Sequence, residues 1–308
     1  MSFAGTVKTE ITNIKLNDTS KYSFLSAVIH NSIFDLNNIK ILTEYKEVAD
    51  IIFDIFKDTY QIIPKITVRK SYNYSKNLTY VLEIKKDVVK ILKDTGIYDN
   101  KILPIPRSFI IDDFELIRTY LKGVFLISGS INDPKTSRYH LEIVVNKLEY
   151  ATFIDYLLND NNLNSKVLKR ENKYMVYIKE SEKISDFLRI IEAFNALFYY
   201  EDIRILRDHR NMTNRLNNCE QANVDKIIES ASKEVKDIEL IEKKASLDLL
   251  EEKEKIVSIY RLKYREASLS ELSNIISLET GNKITKSGLH HRMKKIKLLA
   301  DKIRNIDK

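Results

Sequence analysis

At 308 residues, with 44% apolar content including 17 Tyr and 12 Phe, the chain is long enough for about two domains and a sizeable core, which excludes a disordered polymer. A single cysteine, Cys219, excludes an internal disulfide and fits a reducing cytoplasm. The absence of any run of about 18 apolar residues argues against a membrane span. The net charge is only +7, yet from Lys283 onward there are nine Lys/Arg and two Asp/Glu, so nearly all the excess sits at one end. Charge gathered this way is the footprint expected for a polyanion.

In chain order, residues 1–15 lack a signal-peptide apolar region, and a soluble, cytoplasmic protein is expected. Residues 25–33 (L-S-A-V-I-H-N-S-I) form a first apolar helix with Ala27 at its middle. A helix over 44–60 follows, with Val48, Ile51, Ile52, Ile55 and Phe56 at helical spacing. Residues 65–70 and 78–85 read as two strands joined by a hairpin loop at 71–77. A short helix over 87–94 stops at Gly96, and Pro104 and Pro106 mark a break.

Residues 114–127 then read as a helix with a wide apolar face. Gly123 is small enough to admit a second backbone, Gly129 is expected to end the helix, and Asn132-Asp133-Pro134 to turn the chain. A strand over 139–145, a helix over 148–159, a hairpin around Val167 and 174–179, and a helix over 183–194 repeat the earlier order at offsets near a hundred residues. The fold class expected is therefore α+β, a pseudo-duplicate with its two central helices together, followed by an all-α domain.

His30, His140 and His209 have no metal-ligand spacing and read as packed or hydrogen-bonded side chains. No cofactor is expected, since no glycine-rich phosphate loop occurs. Residues 201–244 are charged, nearly balanced and helix-favouring, with a polar block at 214–223 (N-R-L-N-N-C-E-Q-A-N). They read as a solvated connector, or as a helix junction at which the Asn side chains satisfy backbone groups.

Three helices close the chain. Leu249, Leu250, Ile256, Val257 and Tyr260 give the first its apolar face. Ser268-Leu-Ser-Glu271 is a capping box for the second, with Leu272, Ile275 and Ile276 inward, and residues 278–284 form the turn with Gly281. Thr285 is the expected N-cap of the third helix, on which Leu289, Met293 and Ile296 lie together. Opposite them fall Ser287, His290, His291, Lys294 and Lys295, flanked by Lys286 and Arg292. Something is expected to pack closely at Gly288. An apolar back with a front of donors is what a helix-turn-helix needs in the element it places in the major groove. The candidate DNA-binding set is Thr285, Lys286, Ser287, His290, His291, Arg292, Lys294 and Lys295, with double-stranded DNA as partner. No catalytic or metal-binding residue is assigned.

L-K-G-V-F-L-I-S-G-S at 121–130 resembles the LAGLIDADG signature, two copies of which pack at the centre of homing endonucleases. The family's metal-holding acid at the eighth position is replaced here by Ser128 and, in the first copy, Ser32. Taken whole, the chain resembles the WhiA family of bacterial regulators. The resemblance rests on M-S-F at the start, residues 121–134, Y-H-L-E-I at 139–143, the asparagine-rich block and I-T-K-S-G-L-H-H-R-M-K-K at 284–295. It implies a degenerate LAGLIDADG-like domain over 1–213 (halves 1–104 and 107–213), a helical linker over 214–248 and a helix-turn-helix domain over 249–308. It further implies a sequence-specific, nucleoid-associated transcription regulator in sporulation, cell division or chromosome segregation, in which the first domain adds DNA contacts or recruits a partner protein. The alternatives are a divergent metal-dependent endonuclease drawing on Asp35 or Asp133, and a scaffold that binds DNA without sequence preference.

Overall fold

Ser2 and Asn17 open the first two helices, α1 (Phe3–Ile11) and α2 (Asp18–His30), by accepting the N–H groups of Gly5 and Ser20. The computed structural model describes residues 2–13, 15–70, 78–136 and 138–306, so the loop expected at 71–77 lies outside the described residues. After α2 come β1 (Ile33–Phe34), β2 (Ile39–Thr43), α3 (Lys46–Tyr60), β3 (Lys65–Lys70), β4 (Leu78–Ile84), α4 (Val88–Asp94) and a small ribbon of β5 (Tyr98–Asp99) and β6 (Lys101–Ile102). Asp113 caps α5 (Phe114–Ser128). Then follow β7 (Gly129–Ile131), β8 (Leu141–Val145), α6 (Leu148–Asp160), β9 (Lys166–Arg170), β10 (Lys173–Ile178) and α7 (Ser181–Ile190).

The duplication is explicit in the pairing. One antiparallel sheet has the order β1-β2-β4-β3 and the other β7-β8-β10-β9. In each, alternate residues turn inward: Ile39, Ile41 and Thr43 of β2 are buried, as are Leu141, Ile143 and Val145 of β8. The two central helices, α2 and α5, pack together within one core. A Cβ placed on Gly123 would lie 2.8 Å from both the Ala27 Cβ and the Phe24 carbonyl oxygen, so only glycine permits this approach. Ser23 seals the contact by donating its buried hydroxyl to the Leu116 carbonyl at 2.8 Å.

Several boundaries differ from expectation for local reasons. The first central helix stops at His30, because Asn31 and Ser32 turn their side chains back onto the carbonyls of Ala27 and Val28. Gly129 does not act as a left-handed cap: its backbone is extended and begins β7, and a Cβ there would strike the Phe125 ring. The helix expected over 183–194 is two. Glu192 adopts a left-handed conformation (φ 59°), Ala193 bonds back to Leu188, and a new helix starts at Phe194. The turn aims the Glu192 carboxylate at Arg118 (2.7 Å) and the buried Lys122 (2.6 Å), both on α5.

The chain divides into two compact units, Met1–Arg207 and Asp208–Lys308. Helix α8 (Phe194–Ala245) is 52 residues long and is exposed throughout 208–230. Cys219 is exposed on it. The final helices are α9 (Glu252–Lys263), α10 (Leu269–Thr280) and α11 (Lys286–Ile306). The second unit has its own core of Val257, Leu272, Ile276, Leu289, Met293, Ile296 and Ala300, joined by Ile238 and Ile241 of α8. Residues 231–245, read from sequence as connector, therefore belong to the core of this unit.

Candidate nucleic-acid interface

The helix-turn-helix is built by its punctuation. Ser268 accepts the Glu271 N–H at 3.2 Å and Glu271 accepts the Ser268 N–H at 2.8 Å, the reciprocal pair of a capping box at the start of α10. Leu272 and Ile276 are buried and Ile275 is half-buried. The helix runs three residues further than expected, to Thr280, and Gly281 ends it with φ 70°, a left-handed cap that suits glycine. Ser277 holds the turn by accepting the Ile284 N–H at 3.0 Å. Thr285 then caps α11 by accepting the Gly288 N–H at 3.1 Å.

The first helix of the trio starts later than expected, at Glu252. Leu249 lies before it, in a short 3₁₀ turn, and is exposed. Beneath this framework Arg261 is 1% exposed, pairs with Glu234 at 2.9 Å, and donates to the Ala267 carbonyl at 2.6 Å, so one guanidinium joins α8, α9 and the entry to α10. Burial pushes the Glu234 carboxyl up against the opposing pull of Arg261, and lowers the guanidinium likewise.

On α11, Leu289, Met293 and Ile296 are buried as the spacing requires. The eight candidate side chains do not form one front. Ser287 and His291 are exposed and hold no partner among the described residues. Lys286 lies beside Ser268 and Ser270 at the start of α10. His290 and Lys294 turn toward residues 230–237 of α8. Arg292 is half-buried, and the Thr285 hydroxyl is taken up by its cap.

Lys295 is tied to α9, 3.0 Å from Glu254 and 3.6 Å from Glu251, and the hydrogen bond to Glu254 raises its pKa. Its charge is answered within the protein. Nothing packs closely at Gly288, where a Cβ would meet only the capping hydroxyl at 3.3 Å and an Ile284 methylene at 3.9 Å.

Sequence reasoning missed the contribution of α8. Lys226, Lys233 and Lys236 all line grooves beside the helix-turn-helix. The signal was present: Ala231, Val235, Ile238 and Ile241 recur at helical spacing inside the charged stretch, and all four are buried.

The LAGLIDADG likeness implies a divalent cation near the ends of the central helices, and the residues there do not fit one. The Ser32 hydroxyl donates to the Val28 carbonyl at 2.7 Å. That of Ser128 lies 2.7 Å from the Asn31 side-chain oxygen. The Asn31 amide donates to the Ala27 carbonyl (2.8 Å) and to the Tyr150 hydroxyl (2.9 Å), which meets Tyr120 at 2.8 Å. This network is neutral and internally bonded, whereas such ions take carboxylate oxygens. His30 stacks on Tyr150 at 4.9 Å with Nδ1 toward the Ser26 carbonyl, while His140 meets Glu142.

Comparison with known proteins agrees with both units. Residues 25–98 match the WhiA N-terminal LAGLIDADG-like domain, residues 117–210 the WhiA LAGLIDADG-like domain, and residues 213–300 the WhiA C-terminal HTH domain. The chain is 41% identical over 315 residues to a probable cell division protein WhiA of Staphylococcus haemolyticus, covering 100% of this chain and 99% of that one. It is 40% identical over 312 residues to the corresponding Staphylococcus saprophyticus protein, covering 99% and 98%. Full-length DUF199/WhiA from Thermatoga maritima shares the fold, with TM-score 0.58 and 23% identity over 98% of this chain and 99% of that one. Its pseudo-duplicated LAGLIDADG-like unit, its helix-turn-helix unit and this end-to-end similarity together make the chain a member of the WhiA family.

Proposed function

We propose that this WhiA-family chain is a sequence-specific double-stranded-DNA-binding regulator that works in cell division, at the nucleoid in the cytoplasm, without cutting DNA. The observation that carries the reading is the outer face of α11, where Ser287 and His291 stand exposed, with no hydrogen-bond partner among the described residues, on a helix whose back is locked into a core. Hydroxyl and imidazole groups at the amino-terminal end of such a helix suit base edges, and Lys286 at its first turn suits a phosphate. Transcriptional control, in sporulation or in chromosome segregation, is the role this binding serves. The relatives named as cell division proteins support the setting.

Three substitutions test it against specific DNA and scrambled competitor over a range of salt. Lys286→Ala weakens binding to all sequences and flattens the salt dependence by about one unit, while Ser287→Ala and His291→Ala change which sequences are preferred. Unchanged affinity and preference in all three would move the contact away from α11.

The competing endonuclease reading needs acids from outside the signature positions. Asp35 already accepts the Asn37 and Asn38 N–H groups at 2.7 and 2.9 Å, and Asp133 accepts that of Lys135 at 2.8 Å, so both carboxylates serve their own turns. Supercoiled DNA incubated with Mg²⁺ and the full chain is expected to remain uncut. Nicking that Asp133→Asn abolishes would establish the enzyme instead.

A further inference from the structure

Between residues 230–237 of α8 and one side of α11 lies a groove of about 540 Å³, within the size range of small-ligand sites between packed helices. Met293 and Ile296 line it with apolar surface, and its remaining lining is mostly charged. Its carboxylates are already answered: Glu234 pairs with Arg261, and Asp237 with Arg304. Lys233 is likewise taken by Glu229 at 2.7 Å. That leaves Lys236, Lys294 and Lys297, which have no ion pair among the described residues, together with the exposed imidazole of His290. Three ammonium groups held around one concavity repel each other, and a compact polyanion relieves the repulsion while accepting their hydrogen bonds.

We propose that this groove is a phosphate-binding site, separate from the base-reading face at Ser287 and His291, that takes an oligophosphate group. The phosphates come either from the backbone of a duplex or from a free phosphorylated small molecule. The site is independent of whether α11 reads sequence, because Lys236 belongs to α8 and Lys297 lies three turns beyond Ser287.

The test is calorimetric titration of the full chain with sodium tripolyphosphate at fixed ionic strength, with no DNA present. Lys236→Ala/Lys297→Ala is expected to weaken binding about tenfold. Lys253→Ala/Lys302→Ala, which removes the same charge from exposed positions outside the groove, is expected to leave it nearly unchanged. Absence of binding to the unaltered chain, or equal weakening by both pairs, would overturn the proposal. A parallel titration with labelled duplex identifies the source. Loss of DNA affinity beyond that of the control pair assigns the groove to backbone phosphates, and unchanged DNA affinity with lost tripolyphosphate binding assigns it to a free ligand. If Ser287→Ala and His291→Ala fail to alter DNA preference, the reading of α11 falls while the tripolyphosphate result stands.

Discussion

His30 shows how a single residue was set by its surroundings. Burial against Tyr150 and the loop around Leu103 lowers its pKa to about 4, with the nearby Lys147 charge adding to the effect and the Ser26 and Leu103 carbonyls opposing it. The native imidazole is thus neutral at pH 6, whereas the unfolded chain, with an ordinary value near 6.5, already binds a proton there. Stability is complete above about pH 6.5 and declines as the pH falls toward 4, by up to about 3 kcal/mol. Urea unfolding across that window should show the decline, and His30→Gln should flatten it. An equally steep decline in the variant would refute the assignment. Gly123 carries a simpler prediction. The Ala27 methyl and Phe24 carbonyl it faces belong to a packed helix, so Gly123→Ala should cost about 1–3 kcal/mol, read as a lower Tm. The role of Gly123 was legible because a small residue inside an apolar helix has few other uses. The neutrality of His30 was not, because it depends on Tyr150 and Leu103, far away in the sequence.

Among the elements, those with local signals were recovered well. Alternation in residues 78–84 and in 141–145 marked strands, and the Ser268–Glu271 pair marked a helix start, since both patterns are satisfied by neighbouring residues. What escaped was the allegiance of residues 231–245, whose apolar stripe was hidden among charges. Arg261 and Glu234 make that allegiance testable. Arg261→Met strands a mostly buried carboxylate and should destabilise the second unit by about 3–5 kcal/mol, seen as faster amide exchange in α9 and α10. Arg261→Met/Glu234→Met should recover most of the loss. No recovery in the double variant would mean that packing of the Arg261 stem, rather than the charge pair, holds these helices.

At the scale of the molecule, each unit has a core of its own. Calorimetry of the full chain should resolve two transitions, and a fragment spanning 208–308 should reproduce one of them. A single transition, or an unfolded fragment, would show that neither core suffices alone. The same partition concentrates charge, for residues 283–308 hold nine basic and two acidic side chains.

The duplication, the helix-turn-helix and the loss of acids at the signature positions were all written in residue order, because spacing, caps and side-chain type act over a few neighbours. Which basic groups remain open to a partner was settled only by folding. Lys295 is answered by Glu254, forty-one residues before it, whereas Lys294 has no ion pair among the described residues and lines a groove beside α8. Charge interactions act through space rather than along the chain, so a formal charge visible in the sequence becomes an available one only once its neighbours are in place.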